Sequence, residues 1–163
     1  MNGKEPILEY APIRPCHDAA MARIVRAALK AHGLDMPGTA YFDPSLYSLS
    51  AYYDAPGRAY EVLLQNGAVI GGVGVAAFDG FENCCELQKL YLNASARGRG
   101  LGYDMIRHIE DRARALGYGR IYLETHSALQ AAIHEYERSG YRPIDRPSAV
   151  VHTAMDRFYR KDL

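Results

Sequence analysis

Leu87-Gln88-Lys89-Leu90-Tyr91-Leu92-Asn93-Ala94-Ser95-Ala96-Arg97-Gly98-Arg99-Gly100-Leu101-Gly102 is the stretch that decides the fold. A strand ends, a short turn follows, and a helix begins inside the glycines. The N-terminus of a helix exposes unpaired N–H groups and carries about half a positive charge. Glycines let a phosphate approach the backbone closely. Arg97 and Arg99 add charge-assisted donors. By physics alone this is a cradle for a diphosphate, although the same residues in isolation also suit a flexible turn with a solvated basic rim. The stretch does not fit G-x-G-x-x-G, because Tyr103 stands three residues after Gly100. No G-K-S/T follows, so it is not a Walker loop.

Downstream, Gly100 to Leu116 has helix period, with Leu101, Met105, Ile109, Ala113 and Leu116 on one face and Gly117 after it. Arg120 to Thr125 reads as a strand. The segment from Glu82 to Thr125 is thus a strand–helix–strand unit, expected to be a right-handed crossover between parallel strands. Ser127-Ala128-Leu129-Gln130 has the form of a capping box and opens a helix to about Ser139, with Gly140 after it. Tyr141 to Asp145 and Val150 to Tyr159 read as two final strands.

Upstream, Asn66-Gly67 is a strong hairpin signal between strands Ala59–Gln65 and Ala68–Phe78. A third strand runs from Glu82 to Leu92, giving an antiparallel meander. Before it, Ile7 to Arg14 reads as a strand and Asp18 to His32 as a helix, with Met21, Ile24, Val25, Ala28 and Leu29 inward. Asp18 is its expected N-cap and Gly33 its stop. Ser45 to Tyr53 is a short second helix. The order is β-α-α-β-β-β-α-β-α-β-β, in a single domain over residues 1–163.

Arg97-Gly98-Arg99-Gly100-Leu101-Gly102 fits the R/Q-x-x-G-x-G/A signature of the GNAT acetyltransferase superfamily. Ala131-Ala132-Ile133-His134-Glu135-Tyr136-Glu137-Arg138-Ser139-Gly140-Tyr141 resembles its A-I-x-x-Y-x-x-x-G-F/Y segment. The two occur in order and at the expected separation, and the element order agrees over the whole chain. The resemblance implies the acyl-CoA N-acyltransferase fold: α/β (α+β), a mixed, mostly antiparallel sheet of six to seven strands, and about four helices.

It also implies acetyl-CoA as cosubstrate, held by backbone amides from Gly98 through Tyr103 with Arg97 and Arg99 nearby, and by the strand end Leu90, Tyr91 and Leu92. The N–H of Leu90 would serve as an oxyanion donor. Tyr136 would stand at the CoA sulfur, although its helical face, shared with Leu129 and Ile133, also suits a core residue. Glu86 and Glu124 occupy positions used as base by different members, and Glu86 ranks first. An asparagine common seven residues before the tyrosine is Leu129 here, and its contact would fall to the adjacent Gln130 or to the backbone. His126 and His134 are further proton acceptors by residue type.

The reaction implied is acetyl transfer to a primary amine by direct attack in a ternary complex. The alternatives are a non-catalytic CoA-binding or interaction module on the same fold, and a nucleotide-binding protein. The acceptor is expected to be a small-molecule or protein amine. Tyr41, Tyr47, Tyr52 and Tyr53, with Asp35, Asp43 and Asp54, fall in the region that shapes the acceptor pocket in this superfamily. They suit an amine-bearing acceptor, although ordinary surface chemistry with helix caps accounts for them better.

With 48% apolar and 23% charged residues, the composition is that of a globular chain. Nineteen basic and 19 acidic residues cancel, which argues against a nucleic-acid binder. No apolar run approaches the length of a membrane span or a secretion signal. Cys16, Cys84 and Cys85 are odd in number and lack metal spacing; the expectation is reduced, buried cysteines in a cytoplasmic protein without a metal. The sequence does not fix the oligomeric state; a homodimer through the exposed final strands is compatible with it, because unpaired edges invite pairing.

Overall fold

The type I′ hairpin turn forms because Asn66 and Gly67 accept φ values of 50° and 83°. It joins β2 (Ala59–Gln65) to β3 (Ala68–Ala77). The computed structural model describes residues 3–163. Before the hairpin lie β1 (Leu8–Pro12), α1 (Pro15–Ala31), two 3-10 turns and α2 (Leu49–Tyr53). After it come β4 (Cys84–Leu92), α3 (Leu101–Ala115), β5 (Arg120–Thr125), α4 (Gln130–Arg138), β6 (Arg142–Pro143) and β7 (Arg157–Asp162). The seven strands form one sheet in the order β1-β2-β3-β4-β5-β7-β6. Among the described residues only β4 and β5 pair in parallel, so the antiparallel majority and the α3 crossover both follow the sequence pattern.

Alternation along the strands builds two apolar layers. Cys85 and Leu87 of β4, with Ile121 and Leu123 of β5, pack on Leu101, Met105, Ile106 and Ile109 of α3. Tyr60, Val62 and Leu64 of β2 pack on Met21, Ala22, Val25 and Leu29 of α1. Each buried Val, Leu, Ile or Met among them contributes about 1.5–3 kcal/mol. Cys84 falls in a third cluster with Phe78, Tyr122 and Phe158. Cys84 and Cys85 are therefore buried on opposite faces, whereas Cys16 is exposed.

The structure corrects several local expectations. Helix α1 starts at Pro15, because proline tolerates the first helical position. The Arg14 N–H donates to His17 Nδ1 at 3.1 Å. Asp18 is thus not the N-cap: buried in the first turn, it accepts from the N–H and hydroxyl of Ser50, at 2.8 and 2.5 Å. It docks the segment before β2 onto α1. Helix α4 is not opened by a capping box, because the Ser127 hydroxyl donates to Asp156 Oδ2 at 2.8 Å and Leu129 is the N-cap. The final strands are shorter than expected and shifted. Residues 144–156 form a loop, and β7 runs on to Asp162. Because β7 lies between β5 and β6, the final strands offer only the two residues of β6 as an edge.

No helix among the described residues is long and apolar enough to cross a membrane.

Candidate active site

Two irregularities in the sheet make the site. Pairing of β4 with β5 ends at Glu86 and Tyr122, although the strands continue to Leu92 and Thr125. Beyond that point they diverge and leave a cleft. In β4, Lys89 takes a φ of 49°, and the register against β3 slips between Gly72 and Gly74. Lys89 and Leu90 thus stand opposite Val73, a bulge that re-aims the strand. The Tyr60 hydroxyl donates to the Lys89 carbonyl at 2.8 Å and holds it there.

A groove with a cavity volume of about 250 Å³ runs from this cleft to the start of α3. Leu90, Tyr91, Leu92, Arg97, Gly98, Gly100, Leu101 and Gly102 line it, with Glu124, Glu135 and Tyr136 on the facing side. Gly98 and Gly100 have φ of 74° and 73°, and a Cβ at either would meet nothing within 4 Å. Their glycine identity therefore reflects backbone conformation and open space before the helix, not crowding by the chain. That space at the amides of a helix N-terminus fits a diphosphate. Tyr136 is 5% exposed; burial, then the neighbouring Tyr91, pushes its hydroxyl well above the ordinary phenol range.

On the opposite face, a polar cluster gathers at the cleft. Tyr53 donates to Gln88 Oε1 at 2.6 Å, and Gln88 Nε2 donates to Glu86 Oε1 at 3.1 Å. Glu86 is mostly buried beside Glu124. Burial, then the Glu124 charge, pushes its carboxyl from 4.5 up to about 7. Glu124 Oε2 accepts from Tyr122 at 3.0 Å. Its Oε1 accepts from the His152 N–H at 3.2 Å and lies 3.3 Å from His152 Nδ1. Asp43 accepts from His152 Nε2 at 2.9 Å and pairs with Lys89 Nζ at 2.7 Å. Burial favours a protonated Asp43, but the His152 hydrogen bond and the Lys89 charge outweigh it and hold the carboxyl at about 2.

The sequence-derived candidates thus separate. Most of the glycine turn, the β4 end, Tyr136 and Glu124 converge on one groove. Glu86 stands at the divergence point of β4 and β5, outside the groove lining. Arg99 turns to Gln65 Oε1 at 2.8 Å. Tyr103 stacks under Arg138, 4.5 Å from the ring centroid. Gln130 is exposed and donates to the Ser127 carbonyl; none of these three lines the groove. His126 Nδ1 accepts from the Ala128 N–H at 3.0 Å, and His134 is exposed. In the acceptor region, Asp43 and Tyr53 reach the cluster, whereas Tyr41, Tyr47 and Tyr52 lie against Arg26 and Arg58. The sequence reading missed Gln88, Lys89, Tyr122 and His152. The first two stand inside the deciding stretch, and nothing local marks His152. Among the described residues, no group of three or more His, Cys, Asp or Glu is placed to hold a metal ion.

The model of the Acetyltransferase (GNAT) family matches residues 25–141, and the chain belongs to that family. It is similar to the uncharacterized N-acetyltransferase YjgM of Escherichia coli (strain K12), 40% identical over 128 residues that make up 77% of each chain. A GNAT-family acetyltransferase from Staphylococcus aureus Mu50 shares the fold with a TM-score of 0.86 at 18% identity, over 96% of this chain and 99% of that one. The PaiA N-acetyltransferase of Thermoplasma acidophilum, in complex with coenzyme A, has a TM-score of 0.74 at 14% identity, over 96% and 99%. The chain is accordingly an acetyl-CoA-dependent acyltransferase.

Proposed function

We propose that this enzyme transfers the acetyl group to a primary amine by direct attack in a ternary complex, with Glu86 as proton acceptor. The observation that carries the proposal is the divergence of β4 and β5. It opens the groove on the α3 and α4 side to the Glu86–Glu124 cluster on the side of α1. The fit of CoA to the groove is supported by the open glycine turn, and by the coenzyme A named with the Thermoplasma structure.

Backbone amides from Gly98 through Tyr103 would hold the diphosphate, and the strand end from Leu90 to Leu92 the pantetheine arm. Bound there, acetyl-CoA supplies an activated acetyl group and a thiol leaving group. The Leu90 N–H stabilises negative charge on the acyl oxygen. An alkyl amine of pKa near 10.4 is mostly protonated at neutral pH, and freeing its lone pair costs about 4 kcal/mol. The Glu124 carboxylate, fixed by its donors, attracts the ammonium. Glu86, with a pKa near neutrality, is the better matched base, because proton transfer is most efficient when the acceptor titrates near the working pH.

Tyr136 acts on the departing sulfur as a hydrogen-bond donor. Full transfer of its proton to a thiolate of pKa about 8.5 runs uphill from a phenol raised by burial. A hydrogen bond to the charged sulfur contributes about 1.5–3 kcal/mol without it.

The test is a panel of polyamines, aminoglycosides, amino acids and peptides with lysine or free N-termini, assayed for thiol release from acetyl-CoA and for the mass of the acetylated product. Saturable CoA binding with turnover on one amine class is expected. CoA binding without turnover on any amine would instead support a non-catalytic CoA-binding module.

A further inference from the structure

The loop between β6 and β7 crosses the end of β5 and is pinned on both sides. The Ala154 N–H donates to the Gly38 carbonyl, and the Asp156 N–H to the Thr125 carbonyl, each at 3.1 Å. A Cβ on Gly38 would come within 2.8 Å of Thr153 Oγ1, so this loop and the one leading from α1 to α2 touch closely. His152 stands at the centre of that contact.

We propose that His152 is a positioning residue for acetyl transfer: its ring fixes the Glu124 carboxylate at the mouth of the β4–β5 cleft and ties the Asp43 loop to it. This rests on the acetyltransferase reading above. The geometry is specific. Glu124 Oε1 has the backbone N–H of His152 at 3.2 Å and Nδ1 of the same residue at 3.3 Å, while Tyr122 holds Oε2 at 3.0 Å. Donors on both oxygens leave the carboxylate one orientation. At the other end of the ring, Nε2 lies 2.9 and 3.1 Å from the two oxygens of Asp43. Asp43 and Glu124 come from segments that share no backbone pairing; His152 bridges them.

The groups facing the ring are Asp43 from the α1–α2 connection, Lys89 and Glu86 from β4, and Glu124 from β5 with Tyr122 behind it. Both ring nitrogens face carboxylates, an arrangement that only an imidazolium satisfies with two donors. Burial lowers the pKa, but the hydrogen bonds to Asp43 and Glu124 outweigh it, and with Lys89 opposing they raise it to about 9. The clamp is therefore charged through neutral pH and is lost as pH rises through about 9.

The experiment compares the wild type with H152A, H152Q and D43N. It measures kcat and KM for the amine across pH, KM for acetyl-CoA, and the imidazole titration by NMR. In H152A, kcat is expected to fall about a hundredfold, the scale of a misplacement on the order of 1 Å, with KM for acetyl-CoA unchanged. H152Q recovers part of the loss through its amide donors, and its rate no longer declines above pH 9. In D43N the imidazole pKa falls toward its ordinary value. Wild-type kcat and pH profile in H152A would overturn the inference, as would a wild-type imidazole titrating near 6.5. A wild type with a raised imidazole pKa that binds CoA but acetylates no amine overturns the reaction, and the catalytic role with it, but not the clamp.

Discussion

Glu86 lends itself to a test in which stability and activity move in opposite directions. Its carboxyl rises from 4.5 to about 7 on folding, because it is buried and stands beside Glu124. The folded state therefore holds a proton that the unfolded chain has released over that pH range. For a group raised in this way, stability is complete below pH 4.5 and is lost as pH climbs through about 7. At 1.36 kcal/mol per pKa unit, the loss above neutrality amounts to about 3 kcal/mol. Glu86→Gln keeps the shape and removes the ionisation. Urea unfolding at pH 5 and pH 8 should show the variant's advantage over wild type growing by about 2–3 kcal/mol between the two. The same variant should lose most of its turnover, since the proposed proton acceptor is gone. This is the trade expected where a strained charge serves chemistry. An advantage that does not change between pH 5 and pH 8 would refute the placement of Glu86. Full activity in the variant would refute its role.

Tyr136→Phe should lower kcat by about 10–100-fold, matching 1.5–3 kcal/mol for a hydrogen bond to the leaving sulfur; calorimetry should show CoA affinity nearly intact. Gly100→Ala forces a side chain into a left-handed backbone at a cost of about 1–2 kcal/mol. With open space around its Cβ the chain still folds, but CoA affinity should drop more than about tenfold, and an unchanged Kd would contradict the cradle. Lys161→Met strips the cation 2.9 Å from the buried Glu110. Chemical denaturation should register a loss of about 3 kcal/mol, as for a buried carboxylate left without its close partner.

The elements that the sequence placed well are those whose signals are local. Strands Ala59–Gln65 and Arg120–Thr125 have the same bounds in pattern and structure. The hairpin turn and α3 follow from residues that are neighbours in the chain, where period and backbone preference act over a few positions. The glycine turn belongs with them, since three glycines, two arginines and the opening of a helix are all visible in sequence. The misplacements arose where a distant partner outcompeted a local one. Asp18 satisfies Ser50 instead of its own helix, and Ser127 satisfies Asp156.

For the chain as a whole, the sequence by itself determined the order of elements, the family and the glycine turn that opens α3, because each rests on short-range spacing. The tertiary structure alone decided the polar cluster at the cleft: which carboxylate is fixed, which is raised, and what holds them. Asp43 and His152 are 109 residues apart in sequence and 2.9 Å apart in space. Glu86 owes its raised pKa first to burial and then to Glu124 on the next strand. Electrostatic interactions depend on distance through space and on exclusion of water, and neither is written in the spacing of residues along a chain.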